Sequence, residues 1–585
     1  MSTAEVSFAC AWALVDELVR GGVRHACVSP GSRSTALALA LDRHPGVTVH
    51  MHLDERSSAF VALGMAKALR EPVAVACTSG TAAAEFFPAI VEASQSRVQL
   101  IVLTADRPPH LRGTGANQTI DQVELYGRYV RAYLEAPLPA TQEDPERWAS
   151  VAREAVESSR GGHALTGETT RPSGPVHINC PVDEPLTPDV MDLPPAAARV
   201  QPPLEPFVGP DPYAKLLASI DGDAVLLAGP MSGSGDDLVT LATGLRSPLI
   251  ADPLSGGRRI ASDPDAVSPG MTAGVGLLES DRWLSEHMPR TVVLLGGAPT
   301  SRAALTLIRD VPRIVVVDDG HLDPVPDRPD AIRITYPPAM VAAVGAAREA
   351  EAGSLTPWLA AWKQADAAAR SAIDELLDLW DEPSEMRVAR DLAAAIPDGG
   401  TLFVGNSMPV RDLDAFMAPG DGLRVLGNRG ASGIDGLLST ALGVAASDTG
   451  PTFALLGDLS FLYDAGALLW NARREADLVV VVNDNAGGQI FARLGQRELP
   501  AGELERLFVT PHGVDLARLC SAAGAGHARV ERASELVPAL DAAAGAGGLQ
   551  VVQVAIDADR DRIRRAELRD AVNAAIARVD PHPST

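Results

Sequence analysis

Lysine is scarce in this 585-residue sequence. Three lysines, Lys67, Lys215 and Lys363, stand against 47 arginines (50 − 3), and each lies in a helix-like stretch rather than on a glycine-rich turn. A P-loop needs a lysine at its phosphates, and Schiff-base or pyridoxal chemistry needs one as the covalent anchor. The scarcity therefore argues against both enzyme classes.

Positive charge is also in deficit. The sequence has 50 Lys and Arg against 75 Asp and Glu, which gives a formal net charge of −25. Such a protein repels phosphate backbones and anionic lipid surfaces, so nucleic-acid or membrane-surface binding is disfavoured as a main activity. No apolar run approaches the roughly 20 residues that span a bilayer, so no integral membrane segment is expected.

Cysteines are few and scattered. The five cysteines form no CxxC pair and no metal-ligand spacing, and an odd number fits no complete disulfide framework. We therefore expect a protein of the reducing cytoplasm.

Short apolar runs alternate with helical runs along most of the chain. Candidate strands include HACVS, VTVHMHL, VAVACTS, VQLIVLT and VHINCPV, then AVLLAG, PLIAD, TVVLLGG and RIVVVDD, and finally TLFVGN, RVLGN, TFALLGD, LVVVVND and LQVVQVAID. Continuous apolar strands joined by helical crossovers predict parallel sheets covered on both faces. We therefore predict an α/β protein of three doubly wound parallel-sheet domains, at 1–191, 213–354 and 384–585. The proline-rich stretch 192–212 is predicted to be a linker.

Two of these strands end in polar side chains. Asp458 follows TFALLG, and Asn485 follows LVVVVND 27 residues later (485 − 458). A strand–helix–strand unit brings both strand ends to one edge of a parallel sheet, where ligands collect. A carboxylate, an amide oxygen and the backbone carbonyl of Gly487 suit Mg²⁺, which commonly completes its shell with phosphate oxygens. The alternative is a pair of ordinary turns, since Asp and Asn favour turns.

The spacing of Gly-Asp and Asn resembles the diphosphate motif of thiamine-diphosphate-dependent decarboxylases and carboligases, with Leu459 where glycine is more usual. The resemblance implies thiamine diphosphate and Mg²⁺ as cofactors, with Mn²⁺ as a substitute. It also implies a glutamate on another domain that activates the cofactor. Glu55, in VTVHMHLDERSSAF, follows a strand and precedes a helix. The alternative role for Glu55 is helix capping, for which Asp54 is the better candidate.

Several arginines and their polar neighbours lie on glycine-rich turns at predicted strand ends. Arginine matches carboxylates, and an acidic protein has to concentrate it to hold an anion. A structural salt bridge remains the alternative for any one of them. The motifs are SPGSRSTAL with Ser32 and Arg33 at a predicted helix start, LTADRPPHLRGTGANQ with Arg107 and Gln118, GGAPTSR with Arg302, GNSMPVRDLD with Ser407 and Arg411, and GNRGASGIDG with Arg429.

Together with DERSSAF, TSGTA and NDNAGGQIF, these motifs resemble the thiamine-diphosphate-dependent synthase family of menaquinone biosynthesis over essentially the whole chain. The resemblance implies decarboxylation of 2-oxoglutarate and addition of the remaining four-carbon unit to isochorismate. It also implies a homodimer or homotetramer with active sites between subunits, an aminopyrimidine-binding first domain, a Rossmann-like central domain and a diphosphate-binding last domain.

The resemblance assigns roles to individual residues. Glu55, Arg33 and Gln118 are expected to be catalytic, and Asp458, Asn485 and Gly487 to hold the metal. The expected cofactor-binding residues are Glu55, Ser407, Ile434, Gly457, Asp458, Ser460 and Asn485. The expected substrate-binding residues are Ser32, Arg33, Arg107, Gln118, Arg302, Ser407, Arg411, Arg429, Ile490 and Phe491. Ser301 stands where relatives can carry a lysine.

Two alternatives stay open at this point. Another thiamine enzyme, such as acetolactate synthase or a 2-oxoacid decarboxylase, would share the cofactor motif, but pyruvate has no distal carboxylate to engage all the turn arginines. A flavin or nicotinamide oxidoreductase is suggested by LLAGPMSGSGDD at 226–237, which lacks a clean GxGxxG.

Overall fold

The structure is a computed structural model of the chain. It describes residues 2–161, 172–188, 220, 223–230, 235–258, 269–318, 324–335, 355–417, 420, 422–447, 450–473 and 476–579. The predicted linker at 192–212, the centre of the 226–237 motif and Lys215 lie outside these residues.

Three parallel sheets form the framework of the described chain, and every recorded strand pair in them is parallel. The sheet orders are β2-β1-β3-β4-β6-β5, β11-β10-β9-β7-β8 and β13-β12-β14-β15-β17-β16. We refer to the three sheets and their helices as the first, second and third units. The strands are β1 His25–Val28, β2 Thr48–Met51, β3 Val73–Cys77, β4 Leu100–Asp106, β5 Tyr133–Glu135, β6 Val176–Pro181, β7 Ala224–Ala228, β8 Leu249–Ala251, β9 Thr291–Leu295, β10 Arg313–Asp318, β11 Ile332–Thr335, β12 Thr401–Val404, β13 Arg424–Gly427, β14 Thr452–Gly457, β15 Leu478–Asp484, β16 Gly526–Val530 and β17 Leu549–Ala555.

Helices connect the strands and cover the sheets, which confirms the predicted fold class. They are α1 Thr3–Arg20, α2 Thr35–Arg43, α3 Glu55–Leu69, α4 Thr81–Glu85, α5 Phe87–Gln95, α6 Asp144–Arg160, α7 Gly235–Leu245, α8 Gly274–Leu278, α9 Asp281–Glu286, α10 Arg302–Asp310, α11 Pro357–Leu379, α12 Glu385–Ala395, α13 Met408–Phe416, α14 Leu437–Ser447, α15 Asp458–Tyr463, α16 Ala501–Leu504, α17 Leu516–Ala522, α18 Leu536–Ala546 and α19 Ala558–Ile576. Short 3₁₀ turns lie at Pro109–Leu111, Gly127–Tyr129, Pro253–Ser255, Ala465–Arg473, Gln489–Arg493, Gly495–Glu498 and Ala533–Glu535, and a π turn at Glu505–Val509.

The central strands are buried on both faces. All seven residues of β4 and all five of β3 are buried, as expected for strands that lie between two layers of helices. The apolar residues of these strands supply cores on both sides of the first sheet. Burial of this kind dominates the stability of a doubly wound unit.

The first and third units share one core. Phe60 and Leu63 of α3 pack in the same buried cluster as Leu438 and Leu442 of α14. The two helices approach closely because Gly64 faces the Thr440 carbonyl, where a Cβ atom would overlap the backbone. At the beginning of α3, Nη2 of Arg56 lies 3.4 Å from Oδ1 of Asp464, so this end of the helix also lies beside the third unit.

The last helix belongs with the second unit's core rather than with the third sheet alone. Leu568 and Val572 of α19 pack in one cluster with Trp362 of α11 and Leu294 of β9. This arrangement ties the end of the described chain to the central unit. None of the described helices combines the length and the apolar character needed to span a bilayer.

Candidate cofactor and substrate site

The predicted metal residues meet at the carboxyl edge of the third sheet. Strands β14 and β15 are neighbours, with Gly457 opposite Asn483 in the register. Asp458 opens α15 immediately after β14. Its Oδ1 accepts a hydrogen bond from the Leu459 amide at 2.6 Å, and its Oδ2 accepts one from the Gly487 amide at 2.7 Å. The sheet therefore brings together the two loops that the sequence spacing predicts to be neighbours.

Asn485 presents an oxygen to this site. Its Nδ2 donates to Oε1 of Glu385 at 2.6 Å. Its Oδ1 is buried and has no hydrogen-bond partner among the residues that the structure describes. A buried acceptor without a donor is costly unless a ligand satisfies it, so this oxygen suits a bound cation.

Gly487 has the backbone that the turn requires. Its φ of +131° lies in the region that favours glycine, and a Cβ there would collide with the carbonyl oxygen of Val509. Its carbonyl oxygen accepts a hydrogen bond from the Gln489 amide at 2.9 Å, so one lone pair of that oxygen remains for a cation.

His512 also lies at this site, and sequence analysis missed it. Its Nε2 is 3.4 Å from Oδ2 of Asp458 and 3.8 Å from Oδ1 of Asp484. Its Nδ1 accepts a hydrogen bond from the Val514 amide at 3.0 Å, so the proton of a neutral ring lies on Nε2. No spacing or motif in TPHG distinguishes this histidine from a surface one.

The electrostatics of Asp458 and of Glu385, the partner of Asn485, reflect burial. Burial raises the pKa of Asp458 to about 6, and the hydrogen bonds from Gly487 and Leu459 oppose that rise. Burial together with the charges of Asp412 and Asp561 raises the pKa of Glu385 to about 7, whereas Arg493 and Arg565 act in the opposite direction. A divalent cation would offset this excess of buried negative charge.

Glu55 is the first residue of α3, at the carboxyl edge of the first sheet. Asp54 is the N-cap and accepts a hydrogen bond from the Ser57 amide at 3.2 Å, which confirms Asp54 as the capping residue. Burial raises the pKa of Glu55, and the nearby charges of Asp54 and Glu85 raise it further. Glu55 therefore holds a proton more readily than an ordinary glutamate.

Gln118 lies near the end of β3. Its φ is +53°, an unusual value outside glycine. Its Nε2 donates to the Ser79 carbonyl at 2.9 Å, and its own carbonyl accepts from Oγ of Ser79 at 3.1 Å. These bonds hold Gln118 at the same edge of the sheet as Glu55. Burial raises the pKa of Cys77 in β3, and the charge of Glu55 raises it further, so Glu55 lies near the same strand.

Arg33 and Arg107 form one pair of neighbouring cations. Burial lowers the pKa of Arg33, and the charge of Arg107 lowers it further. Arg33 donates to the Val182 carbonyl at 2.9 Å and to Oε1 of Glu184 at 3.2 Å. The expectation that Ser32 and Arg33 lie at a helix start needs adjustment, because α2 begins at Thr35 and both residues lie in the preceding turn.

Three further arginines converge from two different units. Burial lowers the pKa of Arg411, and the positive charges of Arg429 and Arg302 lower it further. Arg429 donates to Oδ1 of Asn406 at 3.1 Å, while Arg302 opens α10 after the cap Ser301. Like charges are gathered in this way at sites that bind anions.

The remaining predicted residues border these groups. Ser407 has a φ of +72°, a strained value for a residue that bears a side chain, and its carbonyl accepts from Arg411. Ser460 is buried in α15, and Ile434 is half-buried between β13 and α14. Ile490 and Phe491 lie on the turn after Gly487, with the Phe491 ring 5.4 Å from that of Phe508.

Comparison with known proteins identifies the framework. Residues 9–125 match the thiamine pyrophosphate enzyme N-terminal TPP binding domain, and residues 414–554 match the C-terminal TPP binding domain. The chain is 42% identical to 2-succinyl-5-enolpyruvyl-6-hydroxy-3-cyclohexene-1-carboxylate synthase of Thermobifida fusca, over 97% of this chain and 99% of that relative. The synthase of Chloroflexus aurantiacus is 39% identical over 99% and 98%, and that of Halobacterium salinarum 37% identical over 96% and 97%.

The chain belongs to the 2-succinyl-5-enolpyruvyl-6-hydroxy-3-cyclohexene-1-carboxylate synthase family. It is therefore a thiamine-diphosphate-dependent enzyme, and Mg²⁺ is the usual partner metal of such enzymes. This membership confirms the family, the enzyme class and the cofactors expected from sequence.

The residues of this family member fit that cofactor and metal. The Asp458 carboxylate and the unpartnered Oδ1 of Asn485 are hard oxygen donors beside a turn in which a Cβ would not fit. The predicted metal residues come together in the third unit, whereas Glu55, Arg33, Arg107 and Gln118 belong to the first. Arg302 joins Arg411 and Arg429 from the second unit.

Proposed function

We propose that this enzyme decarboxylates 2-oxoglutarate and joins the remaining four-carbon unit to isochorismate. The products are 2-succinyl-5-enolpyruvyl-6-hydroxy-3-cyclohexene-1-carboxylate and CO₂, a step of menaquinone biosynthesis. The observation that carries the proposal is the gathering of Arg302, Arg411 and Arg429 from two units. Isochorismate bears two carboxylates and 2-oxoglutarate keeps one after decarboxylation, so this pair of substrates needs such a set of cations.

The three units divide the work. We assign residues 1–191 to an aminopyrimidine-binding domain, 213–354 to a Rossmann-like central domain and 384–585 to a diphosphate- and Mg²⁺-binding domain. The matches at 9–125 and 414–554 support the first and last assignments. The central domain would contribute Arg302 to the substrate pocket.

The metal would be held by Asp458, Asn485 and the Gly487 carbonyl, with Mn²⁺ as a substitute for Mg²⁺. Gly457, Ser460, Ser407 and Ile434 would line the cofactor pocket. When bound, thiamine diphosphate supplies the carbon nucleophile and accepts the electrons released by decarboxylation. The protein's own part is to orient two anions beside it and to exclude water.

Glu55 would control one proton. Because burial and neighbouring carboxylates raise its pKa, its carboxyl group holds a proton that it can share with the aminopyrimidine ring nitrogen. Gln118 and Arg33, at the same sheet edge, would orient the reacting carbonyl and carboxylate groups. Ser32 and Arg107 beside them, and Ile490 and Phe491 in the third unit, would complete the substrate pocket.

A second copy of the chain would complete the active site. The charges that shift the pKa of Glu55, those of Asp54 and Glu85, belong to the first unit, whereas the metal residues belong to the third. Next to Glu55, Leu53 is 78% exposed, and Tyr463 at the end of α15 is 54% exposed. Apolar side chains so exposed beside a functional site favour an interface. We therefore propose a homodimer or homotetramer with active sites between subunits, working in the cytoplasm.

Subunit complementation tests the shared site. In a mixed oligomer of Glu55→Gln and Asp458→Asn chains, one site per pair would combine an intact Glu55 with an intact Asp458. Random mixing of the two inactive proteins would then restore about a quarter of wild-type activity. One of the two proteins is ¹⁵N-labelled so that mass shows the exchange of subunits. No recovery after that exchange would place both residues of each site on one chain.

A coupled substrate test addresses the reaction. Purified enzyme with thiamine diphosphate, Mg²⁺ and 2-oxoglutarate should consume isochorismate, followed by its absorbance. Turnover of pyruvate alone, without consumption of isochorismate, would instead indicate an acetolactate synthase or a 2-oxoacid decarboxylase.

A further inference from the structure

The orientation of the Asn485 amide is decided by a buried carboxylate. Its Nδ2 lies 2.6 Å from Oε1 of Glu385, 100 residues earlier in the chain. The reverse orientation would place Oδ1 of Asn485 against a carboxylate oxygen, and two acceptors repel each other. Glu385 therefore selects the orientation in which Oδ1 points away from it, and that oxygen is the buried one without a partner in the described part of the chain.

Glu385 is itself held rigidly. Only 2% of it is exposed, and it is the first residue of α12. Its Oε2 accepts hydrogen bonds from Nη2 of Arg493 at 3.0 Å and from Nη2 of Arg565 at 3.3 Å. Its backbone amide donates to Oδ1 of Asp561 at 2.9 Å. With Oε2 engaged by two guanidinium groups, Oε1 remains for Asn485.

The charge of the surrounding cluster favours a cation in front of Asn485. Glu385, Asp412 and Asp561 supply three carboxylates, against the guanidinium groups of Arg493 and Arg565. The cluster therefore has one negative charge in excess when all five groups are ionised. A residual negative charge behind the ligand residue strengthens the pull of its oxygen on a divalent ion.

We propose that Glu385 is a positioning residue for the metal site, which fixes Asn485 so that its Oδ1 faces the bound Mg²⁺. This inference rests on the proposed metal set of Asp458, Asn485 and Gly487. Glu385 does not touch the metal. Its role is to exclude the amide orientation that would aim an N–H donor at a cation.

Exchanging the carboxylate at position 385 and the amide at position 485 tests this role. Glu385→Gln allows the new amide to donate to Oδ1 of Asn485 and so to hold Asn485 reversed. Asn485→Asp sets two carboxylates against each other. In the double variant the amide introduced on α12 would donate to one oxygen of the carboxylate introduced after β15, and the other oxygen of that carboxylate would remain for the metal.

The readout is the Mg²⁺ concentration needed for half-maximal binding of thiamine diphosphate, from tryptophan fluorescence or calorimetry at about pH 8. Each single change is expected to raise it by about 10-fold or more, the usual effect of removing a group that orients a metal ligand. The double variant should return to within about 3-fold of wild type.

Asp412→Asn is the matched control. Asp412 lies in the same buried cluster and contacts Arg565, so its change removes one negative charge without touching Asn485. The control therefore measures the effect of the cluster's charge alone, and we expect that charge to change the Mg²⁺ requirement by no more than about 3-fold, less than a reversal of the Asn485 amide would. Circular dichroism and thermal unfolding establish that each protein is folded. If one single variant does not fold, the other single variant is compared with the folded double variant, and a lower Mg²⁺ requirement in the double variant supports the positioning role.

The possible results separate the inference from its premise. Two results would overturn the positioning role. One is an unchanged Mg²⁺ requirement in Glu385→Gln, and the other is a folded double variant whose Mg²⁺ requirement is raised by as much as the two single changes combined. If Asp458→Ala and Asn485→Ala also leave the requirement unchanged, the proposed metal set itself is wrong. A raised Mg²⁺ requirement in those two variants, with no change in the Glu385 variant, would leave the metal set intact and overturn the positioning role of Glu385.

Discussion

Nζ of Lys67 lies 3.1 Å from Oε1 of Glu92, and both side chains are buried where the first unit meets the third. Lys67 also donates to the Gly427 carbonyl at 2.8 Å and to Oδ1 of Asn428 at 2.9 Å. Glu92 accepts from the backbone amides of Gly430 at 3.0 Å and Ala431 at 2.6 Å. The pair therefore holds the loop 427–434, which carries two of the predicted site residues.

The first prediction concerns this ion pair. Lys67→Met leaves Glu92 buried without its cation and is expected to lower the free energy of unfolding by about 3–5 kcal/mol. Lys67→Met combined with Glu92→Gln should recover part of that loss, because a neutral amide is cheaper to bury and still accepts from the loop. Urea unfolding measures both. Equal stabilities of wild type and Lys67→Met would show that the pair does not stabilise the contact.

The second prediction concerns His512. Its Nε2 is buried beside Asp458 and lacks a hydrogen-bond partner among the described residues. An N–H in this place suits a diphosphate oxygen, and a hydrogen bond to a charged group contributes about 1.5–3 kcal/mol. We expect His512→Ala to raise the Kd of thiamine diphosphate by about 10-fold or more, and His512→Gln to retain most of the affinity because its amide can donate from a similar position.

Calorimetry on cofactor-free protein measures these affinities. His110→Ala, at an exposed histidine of the first unit, serves as the control and should bind as wild type does. Equal affinities of His512→Ala and wild type would remove His512 from the cofactor site.

The third prediction concerns Glu55 and pH. Since the charge of Glu85 raises the pKa of Glu55, Glu85→Gln should lower it. The limb of the pH–kcat/KM profile that reports Glu55 would then move to lower pH. If the profile of the variant coincides with that of wild type, Glu55 is not the group whose titration produces that limb.

Replacing Glu55 itself should separate activity from stability. A carboxyl group whose pKa is higher in the folded state contributes stability below its unfolded pKa, and loses it as pH rises through the folded value. Glu55→Gln is therefore expected to lose most activity while its thermal midpoint at alkaline pH stays at or above that of wild type. Unchanged turnover in this variant would contradict the proposed role of Glu55.

The fourth prediction concerns the anion pocket. Arg302→Ala should raise KM for isochorismate by about 10-fold or more, the loss expected for one charge-assisted contact. Arg309→Ala, on the same helix, is the matched control, because Arg309 is 68% exposed and pairs with Asp310. Steady-state kinetics compare the two. A similar effect of both changes would point to the stability of α10 rather than to substrate binding.

Most of the sheet framework could be predicted, and the strands that were missed share a position. β5, β11 and β16 each lie at one edge of their sheet, and the strands at the opposite edges, β2, β8 and β13, were predicted. Edge strands are covered on fewer sides, so YLE and GHARV carry polar and exposed residues instead of a continuous apolar run. All the inner strands were found because burial on both faces demands an apolar sequence.

The candidate site shows the same division between local and distant information. Asp458 and Asn485 could be paired because one strand–helix–strand unit separates them, and the topology of a parallel sheet fixes where its strands end. Glu385 contacts Asn485 across 100 residues, and His512 reaches Asp458 through an irregular segment. Neither contact has a periodic or local signal, so only the folded chain reveals them.

Isotope tracing shows directly where each carbon of 2-oxoglutarate goes in the proposed reaction. Enzyme supplied with thiamine diphosphate, Mg²⁺, isochorismate and uniformly ¹³C-labelled 2-oxoglutarate is analysed by mass spectrometry. If the enzyme joins the two substrates as proposed, we expect one labelled carbon in CO₂ and the other four together in a product that also contains the isochorismate ring. Labelled CO₂ with only a free four-carbon aldehyde, or no labelled CO₂ at all, would contradict it.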